Sequence, residues 1–449
     1  MVSIRDFSRF AKQQHSTYKV AYLPSNALVA LTQDGLNRME SLVVKGEQVE
    51  EGQIIAKEYC NKNSEMPSCI HAPIPGIVKD IIEVSLPNGK NSPAVFLEMF
   101  GNFTFSGRKI NKTDWHNTVS VLRKIKILSE MGVLNTFEKN ESLALQVNEC
   151  VKNSLAKQPL VVRLYDSDCD TCVESFISKE FSKQVLEGAA IIADMIKAPY
   201  VIFLSEKGKF VLPEQDFIDD VFREIKPQFL ELKIRKYPNG NYKFVYKKAS
   251  DFLKAKYSKS YEKIFAMNSE TCLAVYNAVV KNLPAIDKFV QVQGDAVAKN
   301  QILKVRIGTT LRNIFNECGG FHEQPAQIII NGLVKGCAVS DLDTPITQTV
   351  RSIFVTTQHG FPRQVQVSCI RCSKCNFICS QGLRPDKIYE RYSSGSPMGS
   401  TYSRIIPLCN ECALCSSVCP SRIPLYQTIK FLKDELKENS SPKQEIPKK

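Results

Sequence analysis

Two runs of cysteines decide the organisation of this chain, namely Cys369-Ile-Arg-Cys372-Ser-Lys-Cys375-Asn-Phe-Ile-Cys379-Ser and Cys409-Asn-Glu-Cys412-Ala-Leu-Cys415-Ser-Ser-Val-Cys419-Pro. Both runs have the spacing C-x2-C-x2-C-x3-C, which is typical of thiolates that bind iron–sulfur clusters. A structural zinc site usually takes two pairs of ligands separated by a longer loop. Four evenly spaced cysteines, present twice, therefore favour clusters over zinc.

The spacing resembles that of the two-cluster bacterial ferredoxins, in which the fourth cysteine of each run binds the cluster of the other run. The resemblance implies two [4Fe–4S] clusters with crossed ligands. We expect one cluster to be bound by Cys369, Cys372, Cys375 and Cys419, and the other by Cys409, Cys412, Cys415 and Cys379. Ferredoxin runs end in proline, as Pro420 does here, whereas Ser380 replaces it after the first run. Proline shapes the turn and is not a ligand.

The composition is that of a folded chain with several domains. Its 449 residues are 43% hydrophobic and 23% charged, which excludes disorder throughout and, at roughly 150 residues per domain, predicts about three domains. No stretch reaches the ~18 consecutive apolar residues of a membrane span, because Asp194 and Lys197 interrupt the best candidate, at 189–204. The N-terminal residues show no apolar core of a secretion signal, so we expect a cytoplasmic protein.

Eight of the 16 cysteines lie outside the two runs. Disulfides are rare in cytoplasmic proteins, so we interpret most of these thiols as small core residues. They are Cys60, Cys69, Cys150, Cys169, Cys172, Cys272, Cys318 and Cys337. The formal net charge of +13 favours an acidic partner or an anionic membrane surface, although a basic balance also serves solubility.

The pattern along the chain predicts a multidomain α/β and α+β protein. Short alternating strands with turns at Gly46 and Gly52 predict an N-terminal barrel-sandwich domain. Alternating helices and strands then predict an α/β domain with a partly parallel sheet, and a strand, turn and helix predict a small β-grasp-like module. The cysteine runs predict a ferredoxin-like helical module, and the tail lacks apolar periodicity. The expected boundaries are 1–110, 111–285, 286–350 and 351–432, with a disordered tail at 433–449.

The N-terminal domain resembles the barrel-sandwich module of biotinyl and lipoyl domains. Those modules carry a modifiable lysine at a hairpin tip, where this chain has Asn63-Ser-Glu-Met-Pro-Ser, so we expect no covalent biotin or lipoate. His71 is either a ligand or a structural residue. We interpret it as structural, because a lone histidine at the entrance of a strand is more often structural.

Over residues 20–430 the chain resembles RnfC, the peripheral subunit of the Rnf ion-translocating electron-transport complex. That family is related to the flavin subunit of respiratory complex I and to NqrA. The resemblance rests on VVKGEQVEEGQIIA, HAPIPGIVKDI, the turn Tyr237-Pro238-Asn239-Gly240, Asn268-Ser269-Glu270-Thr271, VQGDAV with IGTTLRNIF, and CNECALCSSVCPSRIPL. NqrA lacks the two cysteine runs, so the chain is more similar to RnfC.

RnfC-like proteins hold FMN and NADH at a glycine-rich loop followed by an acidic turn, and this chain departs from both. The loop reads Met131-Gly132-Val133-Leu134-Asn135-Thr136-Phe137-Glu138-Lys139 and keeps one glycine. Backbone amides approach a phosphate best where no side chain intervenes. We therefore expect the ordinary NADH site to be lost and FMN binding to be doubtful, with flavin bound through another loop as the alternative.

The acidic turn is reduced to Tyr165-Asp166-Ser167-Asp168-Cys169-Asp170-Thr171. Its three aspartates are either the remnant of a cofactor or cation site or a solvated turn after a strand, and we favour the solvated turn. Cys169 and Cys172 form a C-x2-C pair. Without a second pair nearby, this is a weak signal for metal binding or dithiol chemistry.

Three functions follow from these patterns. The first is an electron-transfer subunit of an Rnf-type ion-translocating oxidoreductase complex. The second is a soluble iron–sulfur reductase for a small substrate such as a corrinoid, and the third is a structural scaffold. Intact cysteine runs argue against a scaffold, and the N-terminal barrel argues against the soluble reductase. We predict the first function, and NADH oxidoreductase activity of the isolated chain stays open.

The resemblance also implies a location and partners. We expect peripheral association with the cytoplasmic face of the cell membrane through other Rnf-type subunits, exchange of electrons with a ferredoxin- or flavodoxin-like protein, and no nucleic acid partner. Basic residues around the cysteine runs are expected to steer an acidic partner. They include Arg371, Lys374, Arg384, Lys387 and Arg422.

Overall fold

The computed structural model is a mixed α/β protein with four main sheets and a C-terminal group of helices. It describes residues 2–3, 17–32, 39–59, 66–104, 111–138, 140–153, 157–223, 225–234, 236–359 and 365–440. Within these ranges, no helix combines the length and the apolar character that a membrane crossing requires.

Two small antiparallel sheets form the N-terminal sandwich, with strand orders β3-β9-β8-β5 and β4-β6-β7. Val29, Ile55 and Leu97 lie in the core between them. Gly76 is required at the start of β8, because a Cβ there would lie 2.3 Å from the Glu98 carbonyl oxygen. The first strands are β1 (Val2–Ser3), β2 (Tyr18–Val20), β3 (Asn26–Ala30), β4 (Met39–Ser41), β5 (Gln48–Val49), β6 (Ile54–Glu58), β7 (Cys69–His71), β8 (Gly76–Ser85) and β9 (Asn91–Met99). Residues 63–65 of the predicted hairpin tip lie outside the described residues.

A four-stranded parallel sheet of order β14-β13-β12-β16 forms the centre of the next part of the chain. The strands β12, β13 and β16 are buried on both faces, because alternate residues pack on helices at either side, whereas β14 at one edge is half-buried. The strands are β10 (Leu134–Asn135), β11 (Glu141–Ser142), β12 (Leu160–Arg163), β13 (Val201–Glu206), β14 (Gln228–Leu232), β15 (Lys236–Tyr237) and β16 (Phe265–Asn268). The helices are α1 (Val121–Glu130), α2 (Leu143–Lys152), α3 (Val173–Glu180), α4 (Ser182–Met195), α5 (Gln215–Phe222), α6 (Tyr242–Tyr257) and α7 (Ser269–Val279).

A six-stranded mixed sheet follows, with the order β2-β18-β17-β21-β19-β20. It comprises β17 (Asp287–Gly294), β18 (Gln301–Arg306), α8 (Leu311–Glu317), β19 (Gln327–Ile330), β20 (Cys337–Val339) and β21 (Ser352–Thr356). The strand pairing in this sheet differs from the expected domain boundaries at two places. β2 pairs with β18 and not with the N-terminal sandwich, and β21 lies beyond position 350 yet forms a central strand. Both pairings join distant residues, so local periodicity does not predict them.

The C-terminal part is helical and wraps the two cysteine runs. It comprises α9 (Lys374–Ile378), α10 (Pro385–Ser393), α11 (Gly399–Ile405), a 3-10 turn (Ile406–Leu408), α12 (Leu414–Ser417) and α13 (Leu425–Ser440). Ile388, Ile406, Ile429 and Leu432 form its small core. The expectation of a disordered tail from 433 is wrong as far as Ser440, because α13 continues through it. Residues 441–449 lie outside the described residues.

Candidate metal centre

The first predicted cysteine set comes together although its members are far apart in the chain. One small cavity is lined by Cys369, Cys372, Cys375 and Cys419. Three of these residues belong to the first run and Cys419 ends the second, so the structure places them as the crossed ferredoxin pattern requires. Cys369 and Cys372 are exposed, so this set faces solvent.

The second predicted set also lies together, in a more buried place. Burial raises the pKa of the Cys415 thiol to about 12, with further contributions from Cys412, Cys409 and Cys379. The pKa of Cys412 is likewise raised, first by burial and also by the negative charge of Cys379. Cys379 of the first run therefore lies close to Cys412 and Cys415 of the second run.

The two runs share one unusual backbone conformation. In each, the residue before the second cysteine and the residue after it have positive φ, as does a residue three positions after the fourth cysteine. The matched pairs are Arg371 and Glu411 (55° and 54°), Ser373 and Ala413 (59° and 57°), and Gly382 and Arg422 (66° and 54°). Left-handed conformations cost roughly 1–2 kcal/mol at residues other than glycine, so their repetition at equivalent positions indicates a shared requirement.

This conformation turns backbone amides toward sulfur. The Glu411 N–H donates to Cys409 Sγ at 3.4 Å, and the Leu383 N–H donates to Cys379 Sγ at 3.3 Å. Such donors stabilise thiolates and tune the potential of iron–sulfur clusters. The residues present therefore fit iron–sulfur clusters.

Within the described parts of the chain, no three His, Cys, Asp or Glu side chains are grouped so that they could hold one metal ion. The two cysteine sets are defined by a shared cavity and by mutual proximity.

The second set is contacted by β15 and by α13. The Tyr237 hydroxyl donates to the Cys412 carbonyl at 3.1 Å, and the Lys433 ammonium donates to the Cys409 carbonyl at 2.7 Å. The Tyr426 hydroxyl reaches the Lys335 carbonyl at 3.5 Å, in the loop between β19 and β20. Sequence reasoning missed these contacts, although the Tyr237 turn was among the motifs that carried the resemblance.

The acidic turn is structural and only partly exposed to solvent. Half-buried Asp166 accepts the Glu174 and Ser175 N–H groups at 2.9 and 3.1 Å and so caps α3. Desolvation raises the pKa of Asp166 to about 6, with the charge of Glu174 as the next cause. The expectation of a solvated turn is therefore only partly met at this position.

The other acidic side chains of the turn bind the loop between β19 and β20. Asp170 accepts the Leu333 N–H at 2.5 Å, and Asp168 lies 3.0 Å from the Lys335 ammonium. Burial and then Asp168 raise the pKa of Asp170 to about 6. Burial likewise raises the pKa of Cys169 to about 12, which keeps this thiol protonated and unreactive near neutral pH.

Two amides of the loop that replaces the glycine-rich cradle already have side-chain acceptors. The Thr136 N–H donates to Thr271 Oγ1 of α7 at 3.0 Å, and the Phe137 N–H donates to Asn135 Oδ1 at 3.2 Å. The guanidinium of Arg163 lies 4.6 Å from the centre of the Phe137 ring. These two amides are therefore not free to bind a phosphate in this conformation.

Gly132 has a packing role. Its φ is +66°, and a Cβ would lie 2.4 Å from the Cys69 carbonyl oxygen of β7. His71 lies close by, buried, with its pKa lowered to about 4 by burial, so its imidazole is neutral. Both residues are at the contact between the N-terminal sandwich and α1.

Two segments of this chain match models of known protein families. Residues 9–102 match the family model of the RnfC barrel sandwich hybrid domain, and residues 289–336 match the SLBB domain. The resemblance to RnfC is confirmed by these matches and by relatives that are named as components of ion-translocating oxidoreductase complexes.

Three relatives illustrate the similarity. Over 386 residues, the chain is 26% identical to the C subunit of the "Proton-translocating ferredoxin:NAD(+) oxidoreductase complex" of Clostridium ljungdahlii, covering 82% of this chain and 79% of that protein. It is 25% identical to the C subunit of the "Ion-translocating oxidoreductase complex" of Methanosarcina acetivorans, covering 82% and 83%. The corresponding protein of Rhodobacter capsulatus is also 25% identical, covering 96% of this chain and 82% of the relative.

One solved structure is similar in outline. An NAD+-reducing [NiFe]-hydrogenase in the air-oxidized state aligns with a TM-score of 0.45 at 13% identity. The alignment covers 73% of this chain and 64% of the hydrogenase chain, which is less than two thirds of the latter.

Proposed function

We propose that this chain is the electron-transfer subunit of an Rnf-type ion-translocating oxidoreductase complex. The observation that carries the proposal is the arrangement of the two cysteine runs, whose fourth cysteines lie with the opposite run. Cys369, Cys372, Cys375 and Cys419 would hold one [4Fe–4S] cluster, and the set completed by Cys379 the other. Clusters of this kind take up and release single electrons.

The two cysteine sets differ in their exposure to solvent. The Cys369 set opens to solvent, so it offers a contact surface to a soluble ferredoxin- or flavodoxin-like protein. The Cys409 set is covered by the Tyr237 turn and by the loop that contains Lys335. Burial there excludes water and lowers the local dielectric, which tunes the potential of a bound cluster.

The same proposal excludes direct oxidation of NADH by the isolated chain. NADH delivers two electrons as hydride, whereas a cubane accepts one at a time, so a flavin is needed between them. The amides of Thr136 and Phe137 already donate to Thr271 and Asn135, and Glu138 brings a negative charge to the end of the loop. We infer that electrons are exchanged with another protein.

The proposed location is the cytoplasmic face of the cell membrane, with attachment through other Rnf-type subunits. The support is the name of the relatives, which are subunits of ion-translocating complexes. Co-purification with membrane proteins of the complex from gently solubilised membranes tests this location. Recovery of the chain free of any membrane partner would favour the soluble reductase.

The decisive test of the electron-transfer function is anaerobic. The purified chain is expected to contain about eight irons and eight sulfides and no stoichiometric flavin. Its absorbance near 400 nm should bleach when a reduced low-potential ferredoxin is added and should stay unchanged with NADH. Rapid bleaching by NADH, with or without added FMN, would contradict the loss of the NADH site.

A further inference from the structure

A large cavity lies away from both cysteine sets. Its volume is about 610 Å3, within the range of small-molecule sites. Its walls come from α7, from the loop between α7 and β17, from β17 and β18, and from residues 20–23 near the N-terminus. Three parts of the chain that are distant in sequence therefore enclose it.

The walls are mostly apolar over one part of the cavity. Leu273 of α7 and Phe289 of β17 line it, together with Leu283, Ile286 and Ile307. Apolar walls favour a ligand with an apolar body, because its burial releases ordered water.

Cations line the other part, and most of them are paired. Lys288 forms an ion pair with Glu270, and Lys304 lies 2.9 Å from Asp287. Arg306 contacts Asp287 at 3.1 Å and also pairs with Glu51.

Lys281 differs from these residues. Among the described residues it has no carboxylate partner, and its ammonium lies 5.3 Å from the centre of the Tyr276 ring. The pKa of Lys281 is lowered by burial and by the positive charges of Lys304 and Lys112. Asp287 balances Lys304 and Arg306 in the same wall, whereas Lys281 has no such partner among the described residues, so an anion beside Lys281 would supply the missing negative charge.

We propose that this cavity binds a small organic anion, with its apolar body against Leu273, Leu283 and Ile307 and its acidic group beside Lys281 and Lys304. The proposal is independent of the electron-transfer function, since none of the eight predicted cluster ligands lines the cavity. A carboxylate, a sulfonate or a phosphate would each supply the negative charge of this acidic group.

The test uses a matched pair of probes on the full chain with its clusters. The anion 8-anilinonaphthalene-1-sulfonate and its uncharged parent N-phenyl-1-naphthylamine share an apolar body and differ in the sulfonate. Binding is measured by anaerobic equilibrium dialysis, which the colour of the clusters does not disturb. We expect one sulfonate site per chain, and Lys281→Gln should weaken sulfonate binding about tenfold while leaving the neutral probe unchanged.

Two controls define the site. Lys254→Gln removes an exposed lysine on α6, far from the cavity walls, and should leave both probes unaffected. Ala274→Phe, or Leu283→Trp if the first variant unfolds, fills the cavity and should abolish binding of both. The proposal is overturned if Lys281→Gln weakens both probes equally or neither, or if a folded filling variant still binds them.

Discussion

At the scale of the residue, Cys379 and Cys419 carry the most specific prediction. Each belongs by sequence to one run and by position to the other set. The ferredoxin spacing predicts this exchange from sequence alone, because it is a property of a local motif. The contacts that cover the second set depend on Tyr237 and Tyr426, which no cysteine spacing predicts.

Substitution of the two exchanged cysteines should affect different clusters. Cys379→Ala is expected to remove or alter the cluster at Cys409, Cys412 and Cys415, and Cys419→Ala the cluster at the opposite set. Each variant should lose up to about four of eight irons. Electron paramagnetic resonance of the reduced chain distinguishes the two signals. Cys337→Ala, which removes a cysteine outside both sets, is the control and should keep full iron content, whereas unchanged iron in Cys379→Ala would refute the crossed assignment.

Asp170 makes folding stability depend on pH in a predictable direction. Its pKa rises from an unfolded value near 3.8 to about 6, so the folded state binds its proton more tightly. The resulting stabilisation is complete below about pH 4 and is lost as the pH rises through about 6, with a magnitude of about 3 kcal/mol at most. Melting temperatures between pH 5 and pH 7 should therefore fall less steeply in Asp170→Asn than in the parent chain. The exposed Asp251→Asn should retain the parent slope, and identical slopes in all three would count against the buried carboxyl.

At the scale of the element, strand and helix types follow from sequence but their partners often do not. The buried strand at 160–163 and the amphipathic helix α4 are visible in the periodicity. The pairing of β2 with β18 and of β17 with β21 is set by residues hundreds or tens of positions away. Phe181 alone separates α3 from α4, so these two helices follow each other directly.

Gly132 tests whether the altered loop is a packing element or a phosphate cradle. Gly132→Ala should destabilise the chain by several kcal/mol, because it combines left-handed strain with a Cβ 2.4 Å from the Cys69 carbonyl. Gly208→Ala is matched in backbone conformation, with φ +72°, but has open space around it, so it should cost only about 1 kcal/mol. Thermal unfolding of the two variants measures the difference in their stability. Equal losses of stability would argue against the packing role of Gly132.

At the scale of the whole molecule, the basic surface around the exposed cysteine set is smaller than its sequence indicates. Arg384 pairs with Asp386 at 3.0 Å and Lys387 with Glu390 at 2.6 Å, which neutralises two of the five expected cations. Next to the cysteines, Phe377 is 88% exposed and Ile370 is 65% exposed. An apolar patch with a cationic rim is suited to a transient protein contact.

Arg371 and Lys374 should therefore carry most of the steering toward an acidic electron donor. The double variant Arg371→Gln/Lys374→Gln is expected to slow reduction by ferredoxin several-fold at ~50 mM salt and little at ~300 mM salt, because ions screen exposed charges. Stopped-flow measurement of cluster bleaching gives both rates. Lys387→Gln/Glu390→Gln, which removes an ion pair without changing the net charge, should change them less, and a larger effect in that variant would contradict this assignment.

The pairing of β2 with β18 has a consequence for biosynthesis. About 280 residues separate the two strands, so at ~5–20 residues per second a ribosome makes β18 roughly 15 to 55 s after β2. Until then the backbone N–H and C=O groups of Tyr18–Val20 lack their partners, and an unpaired strand readily joins a foreign edge. The nascent chain therefore exposes a strand that can pair with other edges until its correct partner, β18, has been made.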